Sequence, residues 1–211
     1  PEQLPPGAIY NSNRFFLRVL LERLGCDVTD LGIVPDQREA TVHVLQQAAQ
    51  THDLVLSSGG VSVGEEDHVK PAVQSLGSLD LWQIAIKPGK PFAHGRIGAC
   101  HFIGLPGNPV SSYMTYLCVV RPFLAALQAA VVRDLSPYRL PVHFDWPRPD
   151  KRREFLRVRR NAQGGLDLFP NQSSGVLTSA VWGDGLVDVA PGQVLSHGDE
   201  VAYWPFAHWL S

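Results

Sequence analysis

With 211 residues, 20 acidic against 18 basic side chains and a net charge of −2, the chain lacks the basic excess that nucleic-acid-binding proteins carry. Hydrophobic residues make up 45% of it and charged ones 18%, which suits a globular protein of one large domain or two modest ones. Cys26, Cys100 and Cys118 form neither an even disulfide set nor a CxxC motif, and no apolar run reads as long enough to cross a membrane, so a reducing cytoplasm without membrane or nucleic-acid partners is expected.

Asn11 or Ser12 can cap a first helix reaching Leu24, with Phe16, Val19, Leu20 and Leu24 on one stripe and Gly25 as its stop. A strand-like run then extends to Val34. Asp36 followed by Glu39 reads as a capping box opening a second helix with Ala40, Val44, Leu45 and Ala48 at helical spacing. Asp53 to Ser57 reads as a buried strand, and Asp67 is placed to cap a third helix ending near Gly77. Leu81 to Ile86 reads as a strand, Phe92–Arg96 and Cys100–Gly104 as a hairpin around Gly98, and Val110 to Leu127 as a long apolar helix. This alternation over residues 1–130 predicts an α/β, three-layer αβα domain with a mostly parallel sheet. Its first strand is expected to be missing, because the Pro-rich start leads directly into a helix. From residue 137 to 211, short β-rich runs (Phe155–Arg159, Leu166–Phe169, Leu186–Val189, Glu200–Tyr203) separated by Gly turns predict a small all-β domain.

Three Gly/Pro-rich turns fall at predicted strand ends, where ligands of such sheets bind. The first runs from Ser57 to Lys70 (SSGGVSVGEEDHVK). Its Ser58, Gly59, Gly60, Ser62 and Gly64 free backbone N–H groups to converge on an anion beside a helix start, and Glu65 and Asp67 add carboxylates able to hold a metal. Asp67 equally suits a simple capping role, as does Asp36. The second, Lys87-Pro88-Gly89-Lys90-Pro91, aims two cations from a stiff turn. The third, Pro106-Gly107-Asn108-Pro109, leads into a helix whose free N–H groups suit phosphate or carboxylate. The basic cluster of Lys151, Arg152, Arg153, Arg157, Arg159 and Arg160 reads for most of its members as a solvated strand face. None of the eight histidines has metal-ligand spacing.

Taken in order, SSGGVSVGEEDHVK, IKPGKPFAHGR and GLPGNPVSS resemble the characteristic stretches of the molybdopterin molybdenumtransferases, the MoeA and gephyrin E-domain group; Asn11-Ser12-Asn13 and Gly32-Ile33-Val34-Pro35-Asp36 match in type and order. The resemblance implies insertion of molybdenum from molybdate into adenylylated molybdopterin with release of AMP, Mg²⁺ dependence and a homodimer, with contacts to other molybdenum cofactor biosynthesis proteins. It places Asp36 and Asp67 on the metal and in catalysis with Lys87 and Lys90. It places the pterin and molybdate on the first turn, on Pro106, Gly107, Asn108 and Pro109, and on Arg157 and Ser174, the Arg-x-x-Phe-x-Arg stretch falling on Arg152, Phe155 and Arg157. Family members carry two further N-terminal domains and a strand ending in a Thr-Gly-Asp-Glu-like turn, so this chain is expected to be a fragment. A molybdopterin adenylyltransferase, which would not need the β domain, and a gephyrin-like scaffold are the alternatives.

Overall fold

The computed structural model describes residues 10–61, 68–131 and 136–210. Helix α1 (Ser12–Arg23) is capped by Asn11, whose side chain accepts from the Arg14 N–H, and Gly25 follows its end at φ +77°. Its inner stripe holds Leu17, with Phe16, Leu20, Leu21 and Leu24 packed alongside. Val19, placed on that stripe by periodicity, is exposed instead. Residues 26–34 form no strand; Leu31 and Ile33 point to solvent. Helix α2 (Arg38–Ala49) starts after Gln37 with no side-chain cap, so the capping box on Asp36 and Glu39 does not form.

Strand β1 (Leu54–Ser58) leads to the first Gly turn, and α3 (Val69–Leu76) follows with His68 at its N-cap and Gly77 at its C-cap. Asp67, expected to cap α3, lies outside the described residues, as do Ser62, Gly64 and Glu65. Strands β2 (Ser78–Gln83), β4 (Pro91–Ile97) and β5 (Cys100–Leu105) complete a four-stranded sheet in the order β1-β5-β4-β2, and β3 (Ile86–Lys87) leaves it. Here the expectation of a mostly parallel sheet needs correction. Among the described residues β1 and β5 run parallel, while β5–β4 and β4–β2 are antiparallel. The hairpin turn at Gly98, φ +61°, reverses the chain within two residues and leaves no room for a crossover helix.

Helix α4 (Pro109–Thr115) continues through a wide π turn (Tyr116–Val120) into α5 (Arg121–Leu127). Pro122 accounts for the widening, because it lacks an N–H and its ring crowds the carbonyl one turn earlier. By length and composition, Pro109–Leu127 does reach what a membrane span needs, contrary to the sequence expectation, yet 50% of it is buried inside the protein, as in a core helix. Met114, Leu117, Val120 and Leu124 face Ile103, Leu105 and Phe92 of the sheet in one core.

The second half builds a six-stranded sheet from β3, β6 (Tyr138–Pro141), β7 (Arg153–Arg160), β8 (Leu166–Leu168), β9 (Gly185–Val189) and β10 (Glu200–Pro205). Helices α6 (Thr178–Trp182) and α7 (Phe206–Leu210) are added, so this half is mostly rather than wholly strand. Ile86 and Lys87 pair parallel with Arg153 and Glu154, so a two-residue piece of the first half is sewn into the second sheet. That piece begins the Lys-Pro-Gly-Lys-Pro turn and fixes it beside β7.

Candidate functional site

Parallel pairing of Ser58 with Leu105 ends β1 and β5 side by side, which brings the first and third turns together. Gly59 (φ +92°) faces Gly107, and a Cβ on Gly107 would lie 3.7 Å from the Gly59 Cα. Asn13, only 5% exposed, ties the two turns to α1: its amide donates to Ser58 Oγ at 2.7 Å, to the Gly107 carbonyl at 2.7 Å and to Ser112 Oγ at 3.3 Å. Ser112 Oγ in turn donates to the Pro106 carbonyl. Asn108 takes the N-cap position of α4 and Pro109 follows it; the Asn108 side chain makes no capping bond and is exposed. Asn13→Ala would orphan Ser58 and the Gly107 carbonyl, and is expected to cost about 2 kcal/mol. In a domain of this size that is a melting point lower by about 4–8 °C in calorimetry. An unshifted melt would mean that the two turns hold each other without it.

Asp36 reaches this neighbourhood from the start of α2. Its carboxylate is 3.9 Å from His68 Nε2, and Asp36, Ser58, Gly59, Gly60 and His68 line one cavity. Among the described residues no group of three His, Cys, Asp or Glu side chains could enclose a metal. Asp36, 75% exposed, supplies one hard oxygen of the kind Mg²⁺ takes alongside phosphates and water.

The second turn stands elsewhere, against the other end of α4. The Lys87–Pro88 peptide is cis. Gly89 adopts φ +124°, and a Cβ there would meet Thr115 Oγ1 at 2.8 Å, so the turn closes onto the helix only with glycine. Lys87 is not the free cation the sequence suggested. Its ammonium bonds Glu154 at 2.8 Å and Asp150 at 3.2 Å. Partial burial works against its charge, but the two carboxylates outweigh burial and raise its pKa. Lys90 is exposed, its backbone carbonyl accepting from Ile84 N–H at 3.1 Å.

Arg157, which the resemblance assigns to ligand binding, stands apart from the rest of the basic cluster. It is 1% exposed and, among the described residues, has no carboxylate partner. Its guanidinium donates to Ser179 Oγ at 3.1 Å and to the carbonyls of Phe155 at 3.2 Å and Ser173 at 3.3 Å. Burial pushes its pKa down to about 10. Gln172 clamps the same residue, accepting from Arg157 N–H and donating to its carbonyl, each at 3.0 Å. Arg157, Lys87, Pro88, Gln172 and Ser173 line a second cavity of about 280 Å³. Arg152, the neighbouring basic residue, forks onto Asp150 instead, while Lys151, Arg153, Arg159 and Arg160 are exposed as a solvated strand face.

The Ser174 carbonyl accepts from Val110 N–H at 2.9 Å, so the loop beside Arg157 docks on the first turn of α4, next to the third Gly/Pro turn. Asp36, the Gly59–Gly60 turn and residues 106–109 thus gather at one end of the α/β sheet. Lys87, Arg157, Gln172 and Ser173 gather at a second cavity, with α4 running between, while Ser174, expected beside Arg157, contacts the start of α4 and does not line that cavity. Sequence reading missed Asn13, Asp150, Glu154, Gln172 and Ser179 as parts of these sites. Glu154 carried one signal, an acidic residue inside the otherwise apolar-alternating run of β7.

Arg152 holds Asp150 with its side chain and its backbone N–H, and Lys87 adds to this, so the Asp150 carboxyl stays well below the usual range. A depressed carboxylate stabilises the fold above its unfolded value, near 3.9, and that contribution fades as pH falls below it. Asp150→Asn is therefore expected to flatten the decline of melting temperature below about pH 4; an unchanged acid limb would show that the pair contributes nothing to stability.

A family profile described as "probable molybdopterin binding domain" matches residues 2–126, and one described as "MoeA C-terminal region (domain IV)" matches residues 139–206. The chain is similar to a molybdopterin molybdenumtransferase of Haemophilus influenzae, 36% identical over 98% of this chain and 53% of that protein. A molybdopterin molybdenumtransferase of Synechococcus elongatus is 37% identical over 83% of this chain and 44% of that protein. The crystal structure of a molybdopterin biosynthesis MoeA protein from Pyrococcus horikoshii superposes with a TM-score of 0.81 at 27% identity, over 97% of this chain and 50% of that one. The chain spans about half the length of the curated relatives it matches.

Proposed function

The chain belongs to the molybdopterin molybdenumtransferase (MoeA) family, and from that premise we propose that it serves molybdenum cofactor biosynthesis by placing molybdate against adenylylated molybdopterin, so that molybdenum is inserted and AMP released. Residues 1–130 act as the molybdopterin-binding unit and residues 137–211 as the β unit. The observation that carries this reading is Arg157, a buried cation with no anion partner among the described residues, beside a cavity of about 280 Å³. An uncompensated buried charge is costly unless something pairs with it, and a tetrahedral oxyanion supplies the missing charge.

The pterin's phosphate end rests on the Gly59–Gly60 turn and on the start of α4 at residues 106–109, with Ser58 held by Asn13. The family resemblance assigns Ser62, Gly64 and Glu65 to binding the same ligand. Molybdate takes the second cavity, bonded by Arg157 and the loop of Gln172, Ser173 and Ser174. Lys87 forms its wall with a charge shared between Glu154 and Asp150, and Lys90 guides anions from the surface. Asp36, with Asp67, would hold Mg²⁺, which supplies neutralisation of the phosphates when bound. Most of the acceleration is positional, since two anions that repel in water are held on one scaffold. A cytoplasmic homodimer in contact with other cofactor-biosynthesis proteins fits this role.

The test is calorimetric titration of the chain with molybdate, alone and with adenylylated molybdopterin, followed by measurement of AMP. Molybdate binding that is tightened by the pterin supports the reading. AMP or pyrophosphate release that is indifferent to molybdate would sink it and point to adenylyl transfer instead.

A further inference from the structure

On one side β7 runs out of strand partner at Arg157. β8 pairs with it from Arg160 to Val158, and the Phe169 N–H extends that ladder by one bond, to the Arg157 carbonyl at 3.2 Å. Pro170 follows; it has no N–H to donate, and the ladder ends there. Gln172 fills the gap with its side chain. Its Oε1 accepts from the Arg157 N–H and its Nε2 donates to the Arg157 carbonyl, each at 3.0 Å, and Nε2 donates also to the Phe169 carbonyl at 2.9 Å. A primary amide offers one acceptor oxygen and two N–H donors, so Gln172 stands in for the peptide group of a strand neighbour.

The clamp reaches the guanidinium as well as the backbone. Ser173 follows Gln172 directly, and its carbonyl accepts from Arg157 Nη2 at 3.3 Å. The Ser174 carbonyl accepts from the Val110 N–H at 2.9 Å. Consecutive residues thus hold the Arg157 backbone, the Arg157 guanidinium and the first turn of α4. A guanidinium carries five N–H donors, so the bonds to Ser179, Phe155 and Ser173 fix its plane and leave donors over for a ligand.

We propose that Gln172 is a positioning residue for the oxyanion: by clamping both backbone groups of Arg157 and anchoring the Ser173–Ser174 loop, it holds the guanidinium in one place beside the cavity. This rests on the reading of the second cavity as the molybdate site. Both N–H groups of the Gln172 amide are committed to carbonyls, so it acts through Arg157 and brings no charge of its own. A binding group ordered in advance spares the ligand the cost of ordering it, and misplacement by about 1 Å can cost on the order of 100-fold.

The experiment is calorimetric titration with molybdate of the unaltered chain, of Gln172→Met, and of Val201→Ala, which shortens a buried side chain of the β core that does not line the cavity. Methionine keeps the length of the stem and has no amide, so Gln172→Met should bind molybdate about tenfold or more weakly. Val201→Ala should lower the melting temperature and leave the affinity within about twofold. Hydrogen exchange of the unaltered chain adds a reading that needs no variant: the Arg157 amide should be protected before molybdate is added and gain less than about twofold from it. Affinity within about twofold of the unaltered chain in Gln172→Met overturns the proposal, and so does a loss in Val201→Ala as large as in Gln172→Met. An Arg157 amide that is protected only once molybdate is present overturns it too, because the clamp is then not formed in advance. An unaltered chain that binds no molybdate is a different failure: it sinks the oxyanion reading itself, and this inference with it.

Discussion

Arg157→Met should abolish measurable molybdate or tungstate binding, a loss of about 100-fold or more, while the chain remains folded. Two decades correspond to about 2.8 kcal/mol, within reach of the charge-assisted hydrogen bonds that one guanidinium supplies to an oxyanion. Folding survives because methionine fills the stem's volume and removes a buried charge that no carboxylate balances. Against this stands the loss of bonds to Ser179, Phe155 and Ser173. Ser179→Ala separates the two effects: it removes one partner of Arg157 but keeps the charge, and anion affinity should stay within about threefold. Loss of binding in Ser179→Ala as large as in Arg157→Met would mean that packing, not charge, governs the cavity. The pH dependence has a definite sign. Burial lowers the Arg157 pKa to about 10, below the usual arginine value, so above that pH the unfolded chain holds more proton than the folded one. Stability contributed by this group therefore rises with pH through that window, while anion binding, which needs the charged form, declines from about pH 10.

The second large effect is on stability rather than binding. Lys87→Ala leaves Glu154, whose side chain is 3% exposed, without its nearest cation. Breaking a fully buried pair from one side costs 3–5 kcal/mol, but Lys87 is 43% exposed and screened. The expected loss is therefore about 2 kcal/mol, a drop of about 4–8 °C in melting temperature. Lys87→Ala combined with Glu154→Gln should recover most of it, because Trp146 Nε1 can still donate to the amide oxygen where it now bonds Glu154 at 3.1 Å. If the double variant melts no higher than the single one, Lys87 acts by packing alone. Molybdate affinity should fall far less in Lys87→Ala than in Arg157→Met, since the ammonium is already spoken for by two carboxylates.

Much of this arrangement was legible from residues in a row. Asn11, Gly25, Gly77 and Gly98 mark boundaries by local chemistry, and the structure places a cap, two helix ends and a hairpin turn there. The strand Leu54–Ser58 and the helix from Pro109 are long apolar runs that only a core can accept. What could not be read depends on partners distant in the chain. Residues 26–34 have strand-like composition, but a strand exists only where a neighbour supplies its ladder, and here the cavity that Asp36 and Ser58 line lies between them and β1. Ile86 and Lys87 left their own sheet because β7 offered an edge. The two lysines of the second turn looked equivalent, yet one meets Glu154 and Asp150 and the other only solvent. Arg157 was one of six basic residues in a short stretch; Arg153 and Arg159 share its face of β7, but only the middle of the strand is covered, so Arg157 is buried while Arg153, Arg159 and Arg160 at the ends stay exposed. The hydrophobic neighbours Phe155, Leu156 and Val158 hinted at burial without saying which charge would go in with them.

Anomalous diffraction from crystals soaked in tungstate tests most directly whether Arg157 is an oxyanion's counter-charge. A single strong tungsten peak between the Arg157 guanidinium and the Gln172–Ser174 loop, absent from Arg157→Met crystals, is the result this account predicts. A peak confined to exposed lysines and arginines, with the cavity beside Pro88 empty of tungsten, would contradict it.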